Sequence, residues 1–174
     1  MTLDTQFPPA SDDGLDHDRL AEDLRDRLMR GGTYGDWLGA SQADLEAMYI
    51  VGWRLYKLGK YKEAAIALRK LVTMAPYERR YLQALGNALQ MMGSHAEAVG
   101  FYHMLFVLDA EDPMPTFYMA QCLLHMGQSQ DAADVLEATI DNASNKPEFA
   151  ALREQALAMQ TLIRQNANPV VETP

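Results

Sequence analysis

Histidine, cysteine and clustered carboxylates are the side chains that most often carry chemistry, and none of them has a catalytic or metal-binding spacing in this sequence. The histidines and the single cysteine are scattered along the chain: His17, His95, His103, His125 and Cys122. Asp109, Glu111 and Asp112 cluster in a turn but lack the calcium-loop pattern. No H-E-x-x-H, paired C-x-x-C, G-x-S-x-G or phosphate-loop motif is present. We therefore expect no enzyme activity, no metal site and no cofactor.

A second kind of chemistry, the recognition of another polypeptide, is indicated by three aromatic residues in one stretch. Tyr49, Trp53 and Tyr56 are spaced so that they lie on one face of a helix. Tyrosine and tryptophan combine a large rigid surface with a polar group, and exposed aromatic patches commonly mark binding sites. Two interpretations are open. The stripe lines a binding groove, or an amphipathic helix predicted at residues 16–30 covers it permanently.

The composition is typical of one folded domain with an acidic surface. The chain has 174 residues, of which 48% are apolar and 22% charged, and its net charge is -9. This charge disfavours nucleic acid and anionic membranes as partners, because both require a basic face. No apolar run is long enough for a membrane span, and the acidic start lacks the order of a secretion signal. A lone cysteine fits a reducing compartment, so we expect a cytoplasmic protein.

The middle of the chain repeats with a period of 34 residues. Four columns of small or apolar residues recur at this period: Gly52, Gly86 and Ala120; Leu55, Leu89 and Leu123; Gly59, Gly93 and Gly127; and Ala64, Ala98 and Ala132. A fixed period of this length is typical of stacked helix–turn–helix units. The third repeat is less regular, because Thr116 and Thr139 stand in columns of larger residues and Ser129 stands in an aromatic column.

The columns predict how the two helices of each unit meet. The packed face of the first helix is formed by Met48, Val51, Gly52 and Leu55, and by the equivalent positions one and two periods later. The small residue at positions 52, 86 and 120 lets the second helix approach closely. The glycines at 59, 93 and 127 end the first helices, because glycine adopts the left-handed conformation cheaply. Ser41 and Asp44 form a predicted capping box, and Pro76 closes the first unit.

These columns resemble the tetratricopeptide repeat, and the predicted fold is all-α: an α-solenoid of three such repeats with an N-terminal helix and a C-terminal capping helix. The apolar faces of the two flanking helices are Leu20, Leu24 and Leu28, and Phe149, Leu152, Leu157 and Leu162. The expected organisation is a disordered segment at 1–15, the N-terminal helix and linker at 16–38, repeats within 39–146 (about 45–78, 79–112 and 113–146), the capping helix at 147–166 and a flexible tail at 167–174.

Three stacked helix pairs curve, so the first helices line a concave surface. The residues beside the packing columns face it: Tyr49, Trp53 and Tyr56; Gln83, Asn87 and Gln90; and Phe117, Gln121 and Leu124. Amides follow the aromatic residues, and amides suit the backbone of an extended peptide better than a dry core. The leucine face of 16–30 is also narrow and better matched to a partner helix. We therefore favour a groove over a covered core.

Several segments resemble one bacterial family, the class II chaperones of type III secretion systems. They are GGTYGDWLGASQADLEAMY (31–49), LEAMYIVGWRLYKLGKYKEA (45–64), Pro76-Tyr77 and DAEDPMPTFYMAQCLLHMGQ (109–128). Members of this family keep hydrophobic translocator proteins soluble before export and hold a short proline-containing segment of them in the concave groove. The resemblance implies groove positions at Tyr49, Trp53, Tyr56, Tyr61, Met74 and Tyr102, although Trp53 is larger than the usual ring. It also implies a homodimer formed through the N-terminal helix, whose apolar residues are Leu20, Leu24 and Leu28.

Other interpretations stay open at the level of sequence. The protein is alternatively a structural repeat scaffold or adaptor whose groove is filled by its own N-terminal helix. Some relatives also bind a transcription activator, and the sequence does not say whether this chain does. Methionines such as Met91, Met104 and Met126 suit either a core or an adaptable surface. An adaptor for the acidic tails of heat-shock chaperones is disfavoured, because lysine or arginine would be needed where Tyr49 and Trp53 stand.

Overall fold

The computed structural model describes residues 16–167, and in this range the chain forms only helices and turns. The α-helices of these residues are α1 (His17–Met29), α2 (Tyr34–Trp37), α3 (Gln42–Lys57), α4 (Tyr61–Met74), α5 (Arg79–Met91), α6 (His95–Leu108), α7 (Pro113–His125), α8 (Ser129–Ala143) and α9 (Ala150–Ala167). A short 3-10 turn at Pro147–Phe149 precedes α9. The predicted all-α fold class is confirmed. The segments predicted as a disordered start and, beyond Ala167, as a flexible tail lie outside the described residues.

Three helix pairs stack along the chain. α3 packs against α4, α5 against α6, and α7 against α8. Each second helix also packs against the first helix of the following unit, so that α4 contacts α5, α6 contacts α7, and α8 contacts α9. This alternation places the first helices on one side of the array and the second helices on the other, as in an α-solenoid.

The small-residue columns form the contacts between paired helices. Ala64, Ala98 and Ala132 are fully buried. A Cβ atom built on Gly52 would lie 2.7 Å from the Leu68 side chain, and one on Gly86 would lie 2.8 Å from the Tyr102 ring. Both distances are shorter than real Cβ contacts, so the close approach predicted for this column is confirmed.

The predicted helix ends are also present. Gly59, Gly93 and Gly127 have φ angles of +72°, +81° and +76°, a conformation that glycine adopts without strain. At the start of α3, Ser41 and Asp44 form a reciprocal capping box, and the hydrogen bonds from the Ser41 hydroxyl and backbone hold the pKa of Asp44 below its usual range. α4 ends just before Pro76, because proline cannot continue the hydrogen-bonded helix.

The irregular third repeat has a polar contact where the first two repeats have leucine or methionine. Thr116 and Thr139 are buried, and the Thr139 hydroxyl donates a hydrogen bond to Thr116 Oγ1 at 2.9 Å. The Thr116 hydroxyl donates in turn to the Pro113 carbonyl at 3.0 Å. Both buried hydroxyls are therefore satisfied, which explains why small polar residues are tolerated in this column.

The N-terminal region consists of α1 and the short α2. Asp16 caps α1, and the indole Nε1 of Trp37 donates to Asp23 Oδ2 at 2.9 Å, which ties α1 to α2. Gly35 is buried against the backbone of Met74, so α2 is seated on α4. The leucine face of α1 remains open: Leu28 is 49% exposed and Leu20 is also exposed.

Two details of the predicted packing are corrected. Val51 is 54% exposed, whereas Leu85 and Met119 in the same column are buried, because each of those two is covered by the second helix of the preceding repeat. In α9 the predicted Leu157 and Leu162 face outward, and the packed face is instead formed by Leu152, Ala156, Met159 and Ile163. The methionines divide between the two interpretations: Met119 is buried, whereas Met91, Met92, Met104 and Met126 are exposed.

Candidate peptide-binding groove

The aromatic residues of repeat 1 form a continuous set of ring contacts along α3 and the start of α4. Trp53 stacks on Tyr56 with ring centroids 5.4 Å apart and an interplanar angle of 14°, and Tyr56 lies 5.5 Å from Tyr61. The ammonium of Lys57 lies 5.0 Å from the centre of the Trp53 ring, a favourable cation–π distance. Tyr56 and Tyr61 are half-buried and Trp53 is exposed at its edge, so this aromatic wall presents a rigid apolar surface to a ligand.

Tyr49 begins this wall one helical turn earlier and connects it to repeat 2. Its ring lies 5.5 Å from that of Tyr81, which is fully buried. The guanidinium of Arg80 lies 5.3 Å from the centre of the Tyr49 ring and is held there by a hydrogen bond to Glu46 Oε2 at 3.0 Å. That bond raises the pKa of Arg80 further above its ordinary value, and a guanidinium is charged at neutral pH in any case.

The amides predicted to follow the rings are joined into one hydrogen-bonded network. Gln83 Nε2 donates to Asn87 Oδ1 at 2.8 Å, and Gln90 Nε2 donates to Gln121 Oε1 at 2.9 Å. The Tyr102 hydroxyl lies 3.0 Å from Asn87 Oδ1 and 2.7 Å from Gln90 Oε1, and it joins the two halves. The network crosses from repeat 2 into repeat 3, so the amides are fixed relative to one another.

Tyr102 lies beneath this network rather than on the surface. The side chain is fully buried, with its ring over Gly86 and 5.5 Å from the ring of Tyr118. Burial raises the pKa of its hydroxyl, so the group stays protonated and remains a hydrogen-bond donor. The interpretation of Tyr102 as a lining residue is therefore corrected: it supports the amides from below.

Phe117 is corrected in the same way. It is 5% exposed, and its neighbour Tyr118, which is half-buried, faces the groove instead. Tyr118 lines a cavity of about 330 Å³ together with Gln83, Asn87, Leu105, Met114 and the Arg79–Asp112 pair. No pattern in the sequence pointed to Tyr118, because its column holds Ile50 and Ala84 in the other repeats.

The remaining predicted positions lie at the borders of this surface. Gln121 and Leu124 are half-buried on α7, at the repeat 3 end. Met74 is half-buried at the C-terminal end of α4, where its carbonyl lies against Gly35. The spacing did not predict Arg79, Arg80 or Tyr81, because these residues lie outside the three groove columns.

α1 does not occupy the groove. Its described contacts are made with α2, and its leucines are not among the residues packed against the hydrophobic core. Tyr49 and Tyr56 do contact the core, each with part of its ring still accessible. The aromatic wall is therefore not covered by the helix that the sequence offered as an alternative occupant.

The cysteine and two of the histidines, which could suggest catalysis or metal binding, are packed against other side chains. Cys122 is fully buried, and burial raises the pKa of its thiol to about 11, so it is not a nucleophile at neutral pH. His95 and His125 stack in parallel at 4.6 Å, and burial together with His125 lowers the pKa of His95. Between residues 16 and 167, no three metal-binding side chains converge on one point, and no helix is long and apolar enough to cross a membrane.

Comparisons with known proteins agree on the repeats and on a group of bacterial proteins. The family profile described as "Anaphase-promoting complex, cyclosome, subunit 3" matches residues 57–139, which is a likeness in the helical repeats. The Low calcium response locus protein H of Yersinia pseudotuberculosis is 29% identical over 137 residues, which cover 79% of this chain and 82% of that protein.

Solved structures match over a similar span. The type III secretion translocator chaperone SycD of Yersinia enterocolitica is 30% identical with a TM-score of 0.68, over 75% of this chain and 98% of that one. The same protein, solved in complex with a peptide of the translocator YopD, is 30% identical with a TM-score of 0.69, over 74% of this chain and 98% of that one.

Proposed function

The chain belongs to the family of type III secretion translocator chaperones, and from this premise we propose that it binds an extended, proline-containing segment of a hydrophobic translocator in its concave groove. In this role it keeps the translocator soluble in the cytoplasm before export. The observation that carries the proposal is the continuous surface formed by the aromatic wall and the amide network, which α1 leaves open.

The two halves of the groove suit different parts of an extended peptide. The rings of Tyr49, Trp53 and Tyr56 offer rigid apolar area with little entropy left to lose, so they favour apolar side chains. Among the described residues, Gln83 Oε1, Asn87 Nδ2 and Gln121 Nε2 make no hydrogen bond, so an acceptor and two donors remain for a peptide backbone. Specificity comes from the rings and orientation from the amides.

A proline-bearing segment fits this surface for a physical reason. Proline restricts the backbone to an extended conformation before binding, so less conformational entropy is lost when the segment is ordered. Capture of one such segment tethers the apolar helices of the translocator to a well-folded acidic protein. This tethering opposes aggregation and early membrane insertion.

Self-association through α1 is a further part of the proposal. Leu20, Leu24 and Leu28 lie on one side of α1, and the described part of the chain does not pack them into its core. A second α1 would bury such a narrow stripe well. The proposed dimer leaves the groove accessible, because α1 is attached at α2 and not at the aromatic wall.

The test is a calorimetric titration with peptides that tile the N-terminal region of the hydrophobic translocator from the same secretion system. Tyr49→Ala and Tyr56→Ala are each expected to weaken the tightest peptide by about 2 kcal/mol, or roughly 30-fold, because each removes an aromatic anchor. Tyr77→Ala is the matched control, since Tyr77 is an exposed ring in the α4–α5 turn. Equal affinities for all three variants and the parent chain would refute the proposal.

A further inference from the structure

The second helices of the three repeats differ in character on their outer faces. At four positions related by the period, α4 has Ile66, Arg69, Lys70 and Thr73, α6 has Gly100, His103, Met104 and Val107, and α8 has Asp134, Glu137, Ala138 and Asp141. These side chains point away from the groove, and all but the half-buried Ala138 are exposed. The outer surface is thus basic at repeat 1, apolar at repeat 2 and acidic at repeat 3.

Apart from the exposed Glu97 and His103, α6 is apolar on both of its faces. Its inner face packs Ala98, Tyr102 and Leu105 into the core, while on the outer face Val107 is 68% exposed and Met104 is also exposed. An outer helix of a water-facing array ordinarily carries charged residues there. The outer face of α6 therefore has the composition of a protein interface and not that of a solvent-exposed surface.

Gly100 lies in the middle of this face and has no role in packing within the chain. Gly52 and Gly86 are explained by the side chains that a Cβ would strike, but a Cβ on Gly100 would meet nothing within 4 Å. Glycine in the interior of a helix makes the helix less stable than alanine does. At Gly100 no contact within the chain compensates for this loss of stability. Gly100 and Ala96, four residues apart, would let another helix approach closely.

The charges on both sides of α6 are complementary to each other. α4 carries Lys62, Arg69 and Lys70 against the single acid Glu63, and α8 carries four acids and no base. Side-chain contacts link the two flanking helices to α6 or to the turn that follows it. Arg69 forms an ion pair with Glu97 of α6, and Asn142 of α8 donates to the Ala110 carbonyl just beyond α6 at 2.7 Å.

We infer that this outer surface is an interface for a second copy of the same chain, with α6 packed on α6 of the partner subunit around a two-fold axis that runs parallel to the helix. In this arrangement Gly100 faces Gly100 of the partner subunit. The basic α4 of each subunit then faces the acidic α8 of the other.

The orientation of the axis follows from the charges. A two-fold axis that relates two facing surfaces lies in the plane between them. An axis perpendicular to α6 would place α4 on α4 and α8 on α8, with like charges opposed. An axis parallel to α6 places opposite charges together in both flanks. The α6 interface does not involve the groove or α1, so it is independent of the proposed function.

Disulfide trapping tests this geometry in the full-length chain. Gly100→Cys introduces an exposed thiol where there is open space, and the native Cys122 is buried and does not compete. With oxidised glutathione as the oxidant, we expect Gly100→Cys chains to cross-link at least about tenfold faster than Glu137→Cys chains, because the effective concentration of thiols is high only near the axis. An equimolar mixture of Lys70→Cys and Glu137→Cys should give the mixed dimer preferentially.

Charge reversal identifies the partner as a second copy. In the Gly100→Cys background, Lys70→Glu and Glu137→Lys should each slow cross-linking severalfold, and the double reversal should restore the parental rate, because each flank again pairs opposite charges. If Gly100→Cys cross-links no faster than Glu137→Cys in the purified chain, the inference is overturned, and a foreign apolar helix becomes the better occupant. Failure of the double reversal to restore the rate would overturn the proposed axis.

Discussion

Repeats 1 and 2 are built on the same packing columns but present different chemistry to the groove. Gly52 and Gly86 serve the same close helix contact, and Ala64 and Ala98 are equally buried. At the three groove positions, however, repeat 1 has Tyr49, Trp53 and Tyr56, whereas repeat 2 has Gln83, Asn87 and Gln90.

The difference shows how a repeat separates structure from recognition. The columns that face the paired helix fix the backbone, so the positions beside them are free to vary in polarity. Rings that stand side by side recognise apolar side chains, and amides recognise peptide groups. In the proposed function, two adjacent repeats therefore recognise different features of one extended ligand.

The largest expected effect concerns the shared glycine column. Gly86→Ala should destabilise the protein by about 2 to 3 kcal/mol, because the new methyl group would overlap the fully buried Tyr102 ring. Gly100→Ala is the matched control at a protein concentration low enough to dissociate the proposed α6 interface, since in the monomer it adds the same methyl group into open space and should stabilise α6 by up to about 1 kcal/mol. Urea denaturation of both variants measures the difference, and equal effects would show that the close contact at position 86 is not tight.

An intermediate effect is expected from the hydroxyl that supports the amides. Tyr102→Phe keeps the ring but removes the link between Asn87 and Gln90, so peptide affinity should fall by about fivefold and stability by about 1 kcal/mol. Tyr77→Phe is the control, because Tyr77 lies outside the groove in the α4–α5 turn and its hydroxyl makes no hydrogen bond with the described residues. If calorimetry gives the same affinity for both variants, the amide network does not contribute to binding.

The smallest effect is a pH dependence found in repeat 2 alone. His95 occupies the position of Tyr61 in repeat 1, and burial and His125 lower its pKa. The unfolded chain takes up a proton near pH 6.5 that the native state resists, so stability should fall, by less than about 1 kcal/mol, as the pH drops through this value. His95→Tyr makes repeat 2 like repeat 1 and should reduce this loss. Thermal unfolding between pH 5 and pH 8 checks the slope, and an unchanged slope would contradict the assignment.

The sequence predicted what depends on one repeat and missed what depends on its neighbours. The period alone identified the helix ends at Gly59, Gly93 and Gly127, since a turn is a local property. The exposure of Val51 could not be read from its column, because its equivalents are buried by a preceding repeat that Val51 lacks. The inward face of α9 was predicted only in part, for a different reason. No repeat period constrains a helix that occurs once in the chain.

Helix spacing predicted which side chains share the concave face, and the structure shows how deeply each of them is buried. Spacing placed Tyr49, Trp53 and Gln83 on the groove, since a helix face follows from residue numbers. Tyr102 was assigned to the groove by the family resemblance, and a resemblance does not say how deep a side chain lies: the Tyr102 ring lies under the amides and only its hydroxyl contacts them.

In the proposed function a translocator segment lies against the aromatic wall, and the fluorescence of Trp53 measures this contact directly. Trp37 and Trp53 are the two tryptophans of the chain, so Trp37→Phe leaves Trp53 as the single reporter. We predict that the tightest-binding translocator peptide shifts its emission to shorter wavelength, with a midpoint that matches the calorimetric affinity. Calorimetric binding with no change in the emission of Trp53 would contradict the account.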